Sequence, residues 1–465
     1  MKKAILLCMT VFFATTLVYA APQMLINLSQ WEYNTQYGLH QACCSALQAY
    51  DVDKDGHIDI VIPFRKDSDR VVAVNGQTGA VKWIYPPMDQ DGIAGDPMGA
   101  PCIGDMDGDG NDEILFTGRS NNLYCINAAT GTEKWIFESD GKDEAVCLFD
   151  VTGDGKKEAL YAAGDGTLNC VNSAGTLVWS FQMTKGASAP PNAWDIDADG
   201  FVEVVCGDGN GNLYCVSSTG AEKWRFETGD KFHHHQPVIA DFNADGEYEI
   251  VVHSNDRYLY CLTFYGTEYW RFPVHQSAWA DDEDAGKHEG GVAAADIDGD
   301  GDIEVITTDV TGMVHCVDGP TGNEVWGYKC PSEIWTGVLV CDFNGDGMQD
   351  VIVCAEGQES GVYPLGMVGV LSWDGKLQMV EPYWHTASTP SVGDFDNDGQ
   401  IEGIFQAWSE PFYVLSAGGA YNPATVSWGY KYKTPSNNGV WSMNEGLLLL
   451  SAIALVSFGI RMRRR

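Results

Sequence analysis

A short acidic pattern, Asp-x-(Asp/Asn/Thr)-x-Asp-Gly-x-x-acid, recurs eight times in the 465 residues, and no other feature limits the possible folds as strongly. The copies begin at Asp51, Asp105, Asp150, Asp195, Asp241, Asp296, Asp342 and Asp394, spaced 54, 45, 45, 46, 55, 46 and 52 residues apart. A period of that size belongs to a solenoid or a propeller, whose units bury their apolar faces only against their neighbours. The segments flanking the copies are short and rich in β-branched residues, as in EILFTG, VEVVCG and IEVITTD, and Gly, Asn and Asp bound them. No long stretch has the period of an amphipathic helix. The spacing predicts an all-β chain.

The pattern has the chemistry of a calcium loop. Clustered carboxylates repel one another unless a cation lies between them, and calcium takes six to eight oxygens in flexible geometry. Side chains at positions 1, 3 and 5 point inward, Gly at position 6 allows the sharp turn, and an acid at position 9 closes the cage. The candidate ligands are Asp51, Asp53, Asp55 and Asp59 in the first loop and Asp105, Asp107, Asp109 and Glu113 in the second. The third has Asp150, Asp154 and Glu158, with Thr152 in place of an acid, and the fourth Asp195, Asp197, Asp199 and Glu203. Asp241, Asn243, Asp245 and Glu249 form the fifth, and Asp296, Asp298, Asp300 and Glu304 the sixth. Asp342, Asn344, Asp346 and Asp350 form the seventh, and Asp394, Asp396, Asp398 and Glu402 the eighth. An EF-hand would put its last acid at position 12 and flank the loop with helices; here the flanks read as strands. The pattern resembles the calcium loop of FG-GAP/VCBS repeats, as in integrin α-subunit propellers. That resemblance implies up to eight structural calcium ions. Eight dications, +16 in all, would bring the formal charge from −38 to −22.

A second motif runs at the same period. A turn and a Trp close each unit, as in QTGAVKW (Trp83), ATGTEKW (Trp135), SAGTLVW (Trp179), STGAEKW (Trp224), FYGTEYW (Trp270) and PTGNEVW (Trp326). It looks like the tryptophan-docking repeat of pyrroloquinoline-quinone-type propellers, in which the Trp gives one blade a flat surface to pack on the next. The seventh unit, WDGKLQM, has Met379 at the Trp position. Together the two motifs predict an eight-bladed β-propeller with a calcium hairpin in each blade, over residues 21–417. Residues 418–445 read as a linker or a blade-closing segment. Trp31 and Trp428 compete to supply the last outer strand.

The termini read as addresses. Lys2 and Lys3, an apolar run from Ala4 to Val18 and the small Ala20 predict a signal peptide over residues 1–20. Residues 446–465 read as a membrane anchor or sorting signal: GLLLLSAIALVSFGI is followed by RMRRR. The tail resembles bacterial PEP-CTERM signals, although Asn444-Glu445 stands where Pro-Glu-Pro is expected. An exported bacterial protein, on the surface, in the periplasm or secreted, follows from these two segments. The net charge of −38 argues against nucleic acid as a partner. Of the 14 Cys, one lies in the leader. Five recur at one strand position (Cys125, Cys170, Cys215, Cys261 and Cys316) and read as small buried residues.

The face opposite the calcium loops is where the connections are irregular and where a ligand is expected. His40, His233, His253, Arg65, Arg119, Arg257, Lys287 and Trp279 are the candidate ligand-binding residues there. His234, His235, His288 and His385 are candidates for acid–base work. His57 falls in a calcium loop and His315 in a strand. No Ser-His-Asp order, P-loop or HExxH appears. Three readings follow. The first is a binding propeller for an extracellular glycan or protein. The second is a lyase on acidic polysaccharide, by architectural likeness to rhamnogalacturonan lyases. The third is a quinoprotein dehydrogenase, suggested by the adjacent Cys43 and Cys44, although their surroundings do not match that family.

Overall fold

The computed structural model describes residues 23–27, 47–64, 70–87, 101–118, 122–139, 146–232, 236–274, 291–309, 311–334, 336–355, 366–383, 390–406, 412–420 and 426–428. They form eight antiparallel sheets, seven of four strands and one of five. Six sheets follow one plan, strand to next strand by hairpin. The first is Gln48–Tyr50, Asp59–Phe64, Arg70–Asn75 and Val81–Tyr85; the sixth is Val292–Ala295, Glu304–Thr308, Met313–Asp318 and Glu324–Lys329. The second strand of each is buried on both faces, as in DIVIPF and EVVCGD. The fourth strand alternates exposed with half-buried, as in EKWRFE. Burial thus falls from the inner strands to the outer one, and the β-branched runs seen in the sequence are strands covered by a sheet on either side.

Apolar clusters join each sheet to the next. Val71, Ala73 and Trp83 of the first pack with Ile114, Phe116 and Tyr124 of the second. The last sheet packs on the first through Phe395 and Ile404 against Leu47, Ile60 and Ile62. Ser391 Oγ donates a hydrogen bond to the Leu47 carbonyl, and Gln77 Nε2 to that of Asp396 at 3.0 Å.

The two end sheets depart from the plan. Gln23–Asn27 pairs antiparallel with Phe412–Ala420 and supplies the outermost strand of the eighth sheet. Val426–Trp428 instead pairs with Leu339–Cys341, at the inner edge of the seventh. The strand that completes the eighth sheet is therefore N-terminal and ends before Trp31, while the segment holding Trp428 goes to a different sheet. The sequence offset between Trp and loop could not distinguish the two, because it does not record which edge is open. Residues 1–20 and 446–465 lie outside the described residues.

Each outer-strand Trp reaches forward into the next sheet. The indole N–H of Trp83 donates to the Ala128 carbonyl at 2.8 Å, that of Trp135 to Ser173 at 2.9 Å and that of Trp270 to Gly319 at 2.7 Å. The ring lies on the Gly of the next turn. A Cβ at Gly131 would stand 2.7 Å from the Trp83 ring, and Gly131 holds φ +65°. Gly131→Ala is expected to cost about 2–4 kcal/mol, from overpacking and the left-handed backbone together; a denaturant melt unchanged by the substitution would contradict this packing. Met379 takes the corresponding place in the seventh sheet, against its apolar cluster. The described Cys, including all five of the recurrent strand position, are buried free thiols.

Candidate metal centres and the opposite face

The eight acidic loops join the first and second strands of their sheets and share one construction. The position-1 Asp accepts the amide of the position-6 Gly, from Gly56 to Asp51 at 2.9 Å through Gly399 to Asp394 at 2.9 Å. The position-9 acid accepts the amide of position 2, as Val52 to Asp59 at 3.2 Å and Phe395 to Glu402 at 2.8 Å. The position-2 side chains, Val52, Met106, Val151, Ile196, Phe242, Ile297, Phe343 and Phe395, are buried and anchor each loop to the core. Positions 4 and 6 take left-handed φ, at Lys54 and Gly56 in the first loop and Asn397 and Gly399 in the eighth. Two left-handed residues turn the chain back on itself and bring its carboxylates inward.

In five loops the acids converge. Oxygens of Asp51, Asp53 and Asp59 lie within 4.8 Å of one another; so do those of Asp105, Asp107 and Glu113, of Asp195, Asp197 and Asp199, and of Asp296, Asp298 and Asp300. The eighth loop brings together all four, Asp394, Asp396, Asp398 and Glu402. Such a set of hard oxygens fits a calcium ion.

What satisfies the position-9 acid differs among the loops. In the first, Lys82 Nζ lies 2.8 Å from Asp59 Oδ2, 2.7 Å from Asp53 and 3.2 Å from Asp55, while Asp59 Oδ1 is buried with no hydrogen-bond partner among the described residues. In the second, Lys134 bridges Glu113 at 2.7 Å and Asp107 at 2.8 Å. In the fourth, Lys223 bridges Glu203 at 2.8 Å and Asp197 at 2.7 Å. Burial works against the Lys82 ammonium, but its hydrogen bonds to Asp53 and Asp59 outweigh it and hold the group above the usual lysine value. In the third, fifth and seventh loops position 3 is Thr152, Asn243 or Asn344, and its side chain donates to Glu158 at 3.3 Å, Glu249 at 3.2 Å and Asp350 at 3.4 Å.

The sixth and eighth loops have neither device among the described residues. Glu402 is 1% exposed, and its Oε1 has no hydrogen-bond partner among the described residues. Burial, then the Asp396 and Asp394 charges, push Glu402 up to about 8. Burial and the Asp298 and Asp300 charges do the same to Glu304, also to about 8.

The opposite face is described only in part. His40, Arg65, Arg119, His233, His234, His235, Trp279, Lys287, His288 and His385 lie outside the described residues, as do Cys43 and Cys44. Arg257 is exposed, at φ +77°, in the turn that follows the second strand of the fifth sheet. His253 is buried at the end of that strand. His315, in the third strand of the sixth sheet, holds Glu324 through Nδ1 at 2.8 Å and faces Asp309 from Nε2 at 3.8 Å. His57 lies in the first acidic loop, where its amide donates to Asp55.

Burial lowers the His253 imidazole to about 4, against the pull of Asp256 and Asp309 and with a small push from His315. A histidine whose folded value lies below its unfolded one contributes stability above the unfolded value near 6.5, and this is lost as pH falls toward 4. Relative to His253→Leu, the native protein should therefore lose about 3 kcal/mol between pH 7 and pH 4. Denaturant melts of both at the two pH values would read this out, and parallel profiles would contradict it.

Successive four-stranded antiparallel sheets, each packed on the next, define a β-propeller type of protein. The family comparisons agree. The FG-GAP-like repeat matches residues 105–161 and 241–307, and the lambda-carrageenase beta-propeller domain matches residues 142–193. Among solved structures, BamB from Moraxella catarrhalis is 17% identical, with a TM-score of 0.52, over 80% of this chain and 96% of that one. Sqt1 from Saccharomyces cerevisiae is 9% identical, with a TM-score of 0.62, over 83% and 97%. Identities this low establish likeness of fold alone. No curated protein matches the sequence.

The lysines were missed in the sequence, although a signal was there. Lys stands immediately before the docking Trp in QTGAVKW, ATGTEKW and STGAEKW, and each time position 3 of the acidic loop is Asp.

Proposed function

We propose that the chain is an exported, calcium-stabilised β-propeller of eight blades in a closed ring, which binds a glycan on the face opposite its acidic loops. The observation that carries the calcium part is the eighth loop, whose four convergent acids include a buried carboxylate oxygen with no partner among the described residues. Packing of the last sheet on the first supports ring closure. The leader-like start and the apolar, Arg-tipped tail support export and retention at a membrane or cell surface.

A glycan is preferred to a protein as the ligand because the segment 142–193 is similar to a propeller domain named for an enzyme of carrageenan. The same match keeps a second reading alive, an enzyme on acidic polysaccharide, with His234, His235, His288 and His385 as its acid–base candidates. Nothing comparable favours a quinoprotein.

Titration of the calcium-loaded protein with carrageenans and polygalacturonate separates these. Saturable binding with neither new ultraviolet absorbance nor new reducing ends is the expected result; new reducing ends alone would make the protein a hydrolase. Growth of an unsaturated-uronate absorbance, lost in a His234/His235 double substitution, would make the protein a lyase. Failure to bind any polysaccharide would contradict the glycan reading.

A further inference from the structure

The eight acidic loops are alike in sequence, but they are not alike in what faces them. In each of the first seven sheets the pairing of the third and fourth strands slips by one residue, and the slip falls just before the docking Trp or Met379. A β-bulge re-aims the side chain it carries. The bulged residue is Lys82, Lys134 and Lys223 in the first, second and fourth sheets, and each turns its ammonium onto the acids at positions 3 and 9 of its own loop. In the sixth sheet the bulged residue is Val325, 54% exposed, and it offers Asp298 and Glu304 no charge.

We infer that Lys82, Lys134 and Lys223 act as tethered cations that take calcium's place in the first, second and fourth loops, so that calcium is drawn to the sixth and eighth. This rests on the calcium reading above. In the second loop the ammonium lies 2.7–2.8 Å from Asp107 and Glu113, two of the three acids that converge there; in the fourth it lies 2.7 Å from Asp197, one of the convergent three, and 2.8 Å from Glu203. The two cations exclude each other by charge and by space. The pairing within this one chain agrees. The bulge carries Lys only where position 3 is Asp, and Val178, Tyr269 or Gln378 where it is Thr152, Asn243 or Asn344. The sixth and eighth loops each have three Asp and one Glu, yet Val325 stands at the bulge of the sixth sheet and no lysine lies on the outer strand of the eighth. The third, fifth and seventh loops have one carboxylate fewer, and calcium affinity falls with ligand charge.

The test is to count calcium ions on the intact protein by native mass spectrometry at low micromolar free calcium, for the wild type, Lys134→Gln and Val325→Lys. The wild type is expected to hold about two ions tightly. Lys134→Gln should gain one ion and Val325→Lys should lose one. Melting in chelator provides a second readout: Lys134→Gln should melt below the wild type there, since its second loop is left un-neutralised, and calcium should close the gap. Lys223→Gln repeats the test in the fourth sheet should Lys134→Gln not fold. Eight ions on the wild type, or counts that neither substitution moves, would overturn the inference and leave the calcium reading standing. No calcium on any of the three proteins would sink the calcium reading and this inference with it.

Discussion

Trp270→Ala is expected to destabilise the protein by about 3–5 kcal/mol. The indole is buried, and its N–H donates to the Gly319 carbonyl at 2.7 Å. Its ring lies on Gly322, where a Cβ would come within 2.7 Å. Truncating a buried Trp removes the transfer energy and leaves a cavity, and the two together account for a loss of that size. The stranded carbonyl of the buried turn residue Gly319 adds to this. Because the ring joins the fifth sheet to the sixth, the loss falls on the interface between units. Urea melts of Trp270→Ala and Trp270→Phe check it. Phe should recover the packing share and not the hydrogen bond; a loss under about 1 kcal/mol for Ala, well below the usual cost of such a truncation, would show that the indole does not join the sheets.

Glu402→Ala is the second large effect. The side chain does two jobs at once. One oxygen accepts the buried Phe395 amide at 2.8 Å, and the other closes the acidic nest of the eighth loop. Loss of the acceptor leaves a buried N–H unsatisfied, about 1–3 kcal/mol. Loss of the cage removes the binding free energy of the ion, about 2.7 kcal/mol when free calcium stands at about 100 times its dissociation constant. The first cost is present with or without calcium, and the second only with it. Melts of the variant and the wild type in both conditions therefore separate them. A deficit of the same size in chelator and in calcium would mean that the eighth loop is a polar turn and holds no ion.

Much of this was legible in the chain. The spacing of Asp and Gly located every acidic loop, because a loop of nine residues carries its whole hydrogen-bond plan within itself. The Trp after each turn marked the outer strands for a similar reason: a ring that lies on the next unit must recur with the unit. The recurrent Cys read correctly as buried thiols, since a strand position covered on both faces admits only a small apolar group. What the sequence hid was non-local. Lys82 lies 29 residues from Asp53, and its meeting with that loop depends on a bulge no local pattern announces. The rival claims of the two ends of the chain were likewise settled by open sheet edges: Gln23–Asn27 found the outer edge of the eighth sheet, and Val426–Trp428 the inner edge of the seventh. His253, a candidate for the ligand face or just below it, is the last-but-one residue of a fully buried strand, where desolvation keeps it neutral.

If calcium holds the acidic loops, as proposed, thermal unfolding of the purified protein will depend on it. The melting temperature should fall when calcium is chelated and return when calcium, but not an equal concentration of magnesium, is restored, because magnesium demands octahedral geometry and keeps its waters. The shift should grow with the logarithm of free calcium above the dissociation constant. A melting temperature that is the same in chelator and in excess calcium would contradict the account at its base.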